Sequence, residues 1–360
     1  MLSTKLLTFL NGKCRPLLYN SSNNFATDQS SIEPTVTILN ACTNIGRHLA
    51  LILKQSPHIE ELRLYDKQSI VCAIGEDLSH IDTKTQVKSF GGPRVMKDAI
   101  TDADIVVSVG GSKSAPSETA QILFENNCND VRIAALHMIE YNPKGLFCIA
   151  RPPVEALVPL VSEEYKKAGV YDARKIFGVT STATMTVNSI VAKLAKEKPL
   201  EVLCPIVGGL SGECLVGVLS QTRPKGLPLQ PIETQKLICR AEDDVINIYE
   251  DTGSICLAPA LGISRFINSL LRAVKGETDC VECSFIRQTG HIGNFLPYMT
   301  SIIRLGRHGV LSSHMPKITV EEGERLQKAA VRIKEFIHLG EKTANDVPIK
   351  KTLQFEPKRA

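Results

Sequence analysis

Thr35-Val36-Thr37-Ile38-Leu39-Asn40-Ala41-Cys42-Thr43-Asn44-Ile45-Gly46 decides the fold. Its first five residues, apolar and β-branched, read as a short buried strand. A polar turn leads into a helix predicted from about Ile45 to Gln55, with Leu49, Ile52 and Leu53 on one face. Leu62-Arg63-Leu64-Tyr65-Asp66 then reads as a second strand ending in an acid. Ala103-Asp104-Ile105-Val106-Val107 starts another, running through Ser108-Val109 into Gly110-Gly111, and Phe147-Cys148-Ile149-Ala150 is a further one. Strands alternating with helices predict an α/β fold with a doubly wound parallel sheet.

The second half has a different rhythm. A long amphipathic helix is predicted from about Met185 to Lys198, then a hairpin-like stretch from Val202 to Ile206 and helices near 231–250 and 255–275. A strand pair near Cys280–Ile286 and Ile302–Leu305 precedes a charged helix from about Val320 to Leu339. These shifts divide the chain into a leader (1–30), a Rossmann-type domain (33–179), an α+β domain (180–345) and a flexible tail (346–360).

The chain has 360 residues, 43% of them hydrophobic, enough to bury a sizeable core. The net charge of +4 is mild and includes Lys5, Lys13 and Arg15 of the leader. No basic run or aromatic–basic interleaving points to nucleic acid, and no apolar stretch approaches about 18 residues, so no membrane span is predicted. The odd count of 11 cysteines lacks framework spacing and fits a reducing compartment. Cys280-x-x-Cys283 has no second pair to complete a metal site, so both read as ordinary strand cysteines and no metal is expected. The leader carries Lys5, Lys13 and Arg15, no acid before Asp28, and Leu2, Leu6, Leu7 and Leu10 on one helical face. That composition reads as a mitochondrial transit peptide and predicts a matrix protein; a disordered tail is the alternative.

Several segments resemble the mitochondrial members of the lactate/malate dehydrogenase family. They are Asp77-Leu78-Ser79-His80-Ile81, similar to that family's dimer helix, Gly169-Val170-Tyr171 with Lys175-Ile176-Phe177-Gly178-Val179-Thr180, and Val281-Glu282-Cys283-Ser284-Phe285. The likeness runs from about residue 35 to 345. It implies a Rossmann domain followed by the family's α+β C-terminal domain, NAD as cofactor, and a homodimer.

The same resemblance exposes departures at the site. A dinucleotide loop needs glycines for the tight turn, for close approach of backbone to pyrophosphate, and for helix–strand packing. The family's three-glycine loop has become Asn40-Ala41-Cys42-Thr43-Asn44-Ile45-Gly46, where only the packing glycine, Gly46, is kept. Asn40 tolerates a left-handed conformation. Thr43 places a β-branched side chain where phosphates would approach. Asp66, 20 residues beyond Gly46, matches the ribose-binding acid, and Asn127 matches a cofactor-contacting asparagine. Alternatively, Asp66 caps the next turn and Asn127 is an exposed helix residue. NAD binding is therefore expected to be weak or lost.

The family holds a dicarboxylate with three arginines, whose planar forks match carboxylates. Ser114, Ala120 and Thr186 take those positions. Glu118 adds a repelling charge, while Lys113 and Arg151 are new cations nearby. A histidine moves the proton and an aspartate orients it. In Ile206-Val207-Gly208-Gly209-Leu210-Ser211-Gly212 the histidine is Leu210, and the aspartate is Ala183. No histidine occurs from Met138 to Gly290. The family's Asn-Pro-Val-Asn turn reads Pro152-Pro153-Val154-Glu155, so Glu155 replaces a substrate-binding asparagine. Pro259 falls inside a predicted helix, at a cost of about 3 kcal/mol.

Two functional expectations follow. One is a catalytically inactive relative acting through a homodimer, or a heterodimer with an active malate dehydrogenase subunit. The other is an active NAD-dependent malate dehydrogenase, or a related 2-hydroxy acid oxidoreductase, whose catalytic residues have been displaced.

Overall fold

A computed structural model describes the backbone of residues 33–111, 119–210, 212–252 and 256–346, and the side chains of all of these except 242–252. The leader, Lys113, Ser114, Glu118, Ser211 and the tail from residue 347 lie outside the described residues.

The first half alternates as its pattern predicts: β1 (Thr35–Leu39), α1 (Asn44–Lys54), β2 (Glu61–Asp66), α2 (Val71–Ser79), β3 (Gln86–Gly91), α3 (Met96–Ile100), β4 (Ile105–Val109), α4 (Ala120–Tyr141), β5 (Leu146–Ala150), α5 (Val154–Lys167) and β6 (Ile176–Val179). These strands are parallel, in the order β3-β2-β1-β4-β5-β6. β1 pairs with β2 on one side and β4 on the other. The crossovers after β1 and β4 therefore leave in opposite directions, and their loops open a crevice at the strands' carboxyl ends.

The second half comprises α6 (Ser181–Ala195), β7 (Ile206–Gly208), β8 (Leu215–Gly217), α7 (Pro231–Thr252), α8 (Leu257–Val274), β9 (Val281–Arg287), α9 (Gly290–Phe295), β10 (Tyr298–Gly306), β11 (Gly309–His314) and α10 (Val320–Asp346). Its strands extend the same sheet as β6-β9-β10-β7-β8, all antiparallel, with β11 on β10. One core layer packs α1 and α8, with Leu49, Phe266 and Ile267, against the sheet. The other packs α4, α5 and α10 through Phe124, Leu157 and Ile333.

Several boundaries differ from expectation. The hairpin forms at β7 and β8, while residues 202–205 make only a bridge from Leu203 to Arg223. Pro205 has no N–H for a ladder there. α6 starts at Ser181 and stops at Ala195, because Lys196 turns left-handed at φ +57°. α10 runs past Leu339, since Arg132 and Lys167 donate to the carbonyls of Thr343 and Ala344 near its end. Pro259 lies in the first turn of α8, where its missing N–H has no helical partner to lose, so the predicted penalty does not arise. The proline inside a helix is Pro159 of α5.

Arg132 of α4 also meets the buried Glu164 of α5, with Nε 2.6 Å from Oε1. Burial raises the Glu164 pKa above the usual carboxylate range, and Arg132 opposes that rise. Replacing Arg132→Met strands a buried carboxylate and takes the side-chain donor from the Thr343 carbonyl, while Lys167 still reaches that of Ala344. We expect a loss of about 3–5 kcal/mol, measured by urea unfolding.

Glu282 of β9 borders a cavity of about 150 Å³ beside Met185 and Asn188. Burial pushes its carboxyl up to about 7, against a 2.5 Å hydrogen bond donated by the Ser269 hydroxyl. A raised carboxyl pKa favours folding most when the group is neutral. Relative to Glu282→Gln, wild-type stability should be fully retained below about pH 4.5 and fall as pH rises to about 7. Parallel thermal melts across that window check the slope.

Candidate functional site

The crevice at the carboxyl ends of β1, β4 and β5 holds the cofactor-end residues. Asn40 takes φ +64° and directs the chain from β1 into the turn. Thr43 then caps α1: its Oγ1 accepts from the Gly46 amide (3.1 Å) and donates to the Asn40 carbonyl (2.8 Å). One first-turn N–H that could meet an anion is therefore already engaged. The threonine methyl crosses toward the β4 end, where a Cβ built on Gly110 would lie 3.0 Å from it. At Gly46 a Cβ would fall 2.6 Å from the Asn40 carbonyl oxygen and 2.8 Å from the Ala41 Cα. Both are backbone atoms, so the helix sits this close only over a glycine.

Asp66 is buried at the end of β2. One carboxylate oxygen accepts from the Cys42 amide (2.9 Å) and the other from the Gln68 amide (3.0 Å), which fastens the loop after β1 to the turn after β2. Burial, then the Asp66 charge, push the Cys42 thiol up to about 11. Asn127 of α4 is buried, not an exposed helix residue. Its Nδ2 donates to the carbonyls of Gly111 (2.9 Å) and Pro152 (2.7 Å), joining the loops after β4 and β5. Arg151 is buried as well, with Nη1 3.4 Å from Asp130 Oδ2 and 3.5 Å from Asn40 Oδ1. Burial lowers its pKa while Asp130 raises it. Lys67 reaches the other Asp130 oxygen at 2.6 Å.

At the substrate end, Glu155 is the second residue of α5 and is 0% exposed. Its Oε1 accepts from the backbone N–H of Leu210 at 2.6 Å. The Leu210 side chain packs at the meeting of two apolar clusters. Ala183 packs against one of these same clusters, formed by Val187, Val191, Ile206, Leu215 and their neighbours. Leu210 and Ala183 thus share one apolar cluster. Thr186 bonds its own helix, its hydroxyl donating to the Thr182 carbonyl at 3.1 Å. Ala120, the first residue of α4, packs its methyl on the core. Of the predicted anchor positions, Ser114 lies outside the described residues.

The structure brings Asn40, Thr43, Asp66, Asn127 and Arg151 together around one crevice, and Glu155, Leu210 and Ala183 around the turn after β7. Sequence reasoning missed Asp130, the acid that holds Arg151. The available signal was its spacing from Asn127: three positions on, so both face the crevice from one side of α4. It also missed that Glu155 seats the Leu210 amide.

Residues 35–178 match the lactate/malate dehydrogenase NAD binding domain. The chloroplastic malate dehydrogenase of Arabidopsis thaliana is 33% identical over 86% of this chain and 77% of its own. The mitochondrial enzyme of Caenorhabditis elegans is 35% identical over 78% and 82%, and that of Sus scrofa 33% over 85% and 90%. The malate dehydrogenase of Picrophilus torridus in its apo form shares the fold at a TM-score of 0.74, with 18% identity, over 88% of this chain and 98% of that one. With identity of this level along most of its length, the chain belongs to the lactate/malate dehydrogenase family.

Proposed function

We propose that this chain is a malate dehydrogenase-like subunit that does not transfer hydride to a 2-oxo acid and that acts by association. The observation that carries this reading is the closed turn after β7. Leu210 and Ala183 lie against one apolar cluster, and the buried Glu155 carboxylate accepts from the Leu210 amide. A missing acid–base group costs on the order of 10²–10⁴ in rate. Losses within one catalytic unit do not add, but two of the three arginine positions hold Ala120 and Thr186 and the third, by sequence, Ser114. A buried carboxylate beside the turn repels the diacid that the arginines would have neutralised.

Mitochondrial relatives and the composition of the leader support the mitochondrial matrix as its compartment. The retained Asp77–Ile81 and Lys175–Thr180 segments support pairing, either with a second copy or with an active malate dehydrogenase subunit. The family's cofactor class is NAD. The engaged Gly46 amide and the Thr43 methyl support a weakened grip on it.

Two measurements test this reading. Purified protein, assayed for NADH oxidation with oxaloacetate and a panel of 2-oxo acids, should show less than about one ten-thousandth of a normal enzyme's rate. Robust turnover abolished by a substitution lining the crevice overturns the inactive reading. Separately, Thr43→Gly removes the methyl and frees the Gly46 N–H. Calorimetric titration should show NADH binding at least about tenfold tighter than in wild type, the worth of one hydrogen bond to a charged group.

A further inference from the structure

We infer that the cleft between α7 and α10 binds a small polyanion, a molecule carrying two or more phosphate or carboxylate groups. The inference does not rest on the inactivity proposed above. The cleft has a volume of about 610 Å³, within the range of small-ligand sites. Four cations line it from two walls. Lys236 and Arg240 stand four residues apart on α7, hence on one helical face; Arg325 and Lys328 stand three apart on α10. Glu213, just past the turn after β7, is the one acid in the lining among the described residues. Lys236 has an exposed partner in Glu233 at 2.9 Å. Among the described residues, no ion pair engages Arg240, Arg325 or Lys328.

Arg325 gives an independent pointer. Its Nη1 is buried and has no hydrogen-bond partner among the described residues. A buried guanidinium N–H without an acceptor is unfavourable, so such groups are normally satisfied. Arg325 lines this cleft and also a neighbouring one of about 510 Å³, which contains Lys225 together with Glu321 and Glu322. Like charges facing each other across a concave surface repel, and the same concavity concentrates their field on any anion that enters. An acceptor bridging the walls relieves both the repulsion and the orphaned N–H. Cations on both walls suit a ligand with two or more linked anionic groups. Val216 and Ile232 complete the lining with apolar surface. None of these residues belongs to the Thr43–Asp66 crevice or to the Leu210–Glu155 contact.

The test is isothermal titration of the full chain, at low ionic strength, with tripolyphosphate, ATP and citrate. At least one should bind with a stoichiometry of one per chain. Affinity should fall at least about tenfold in Arg325→Gln and in Lys328→Gln, the loss typical of one charge-assisted hydrogen bond. Lys198→Gln, an exposed charge elsewhere, should leave it unchanged. Tripolyphosphate and ATP binding without citrate identifies a phosphoanhydride chain as the ligand chemistry; citrate alone identifies a polycarboxylate. Lys328 and Arg240 are exposed, so Lys328→Gln and Arg240→Gln keep the test decisive if Arg325→Gln fails to fold. Failure of all three probes to bind overturns the inference, as does equal affinity in wild type and the cleft variants.

Discussion

Glu155 is buried to the last atom, and its Oε1 accepts from the backbone N–H of Leu210 at 2.6 Å. A carboxylate removed from water needs such a partner. This contact ties the start of α5, in the parallel half, to the turn after β7, in the antiparallel half. It also explains why the turn keeps its glycines. A Cβ on Gly209 would come within 2.7 Å of Glu155 Oε1 and 2.8 Å of the Cys214 Cβ. Gly208 has φ +87°, and a Cβ there would lie 2.5 Å from the Cys214 carbonyl oxygen. The two glycines are required by packing alone, so their presence carries no information about proton transfer.

The crevice between β1 and β4 follows the same logic. Groups that a dinucleotide would address bond to the protein itself. Asp66 accepts from Cys42 and Gln68, the Gly46 amide donates to Thr43, and Asn127 ties Gly111 to Pro152. Arg151 lies among Asn40 and Asp130. These contacts hold the loops after β1, β4 and β5 in a fixed relation without a ligand. The crevice is polar, and a cofactor entering it competes with these existing bonds.

Most of the fold was legible because its signals are local. Residues 35–39, 62–66, 105–109 and 147–150 are apolar runs in the centre of the sheet, and burial on both faces forces that composition. β3 and β11 passed unread because edge strands need not be apolar; Gln86, Lys88, Ser312 and His314 face away from the core layers. The end of α10 was illegible for another reason: the residues that hold it, Arg132 and Lys167, are about 180 or more positions away in sequence. At the site, the identity of each replaced residue could be read, and Asn40 does adopt the left-handed conformation its type suits. The new partners could not. Nothing in the sequence places Glu155 against an amide 55 residues on, or makes Asp130 the acid for Arg151.

A working relay needs a buried imidazole facing a carboxylate, and such a pair remains only if its desolvation is compensated by function or by excellent geometry. Leu210 and Ala183 bring neither group, and both pack against one apolar cluster. Removing both members avoids the penalty of removing one, which would leave a single buried charge. Glu155 is a fully buried carboxyl group that the Leu210 backbone N–H meets. Active sites hold strained or poorly packed groups that natural chains tolerate because activity needs them, and relaxing that requirement lets packing decide the residue. In the turn after β7 the glycines serve contact distance, Leu210 serves the core, and its amide serves Glu155.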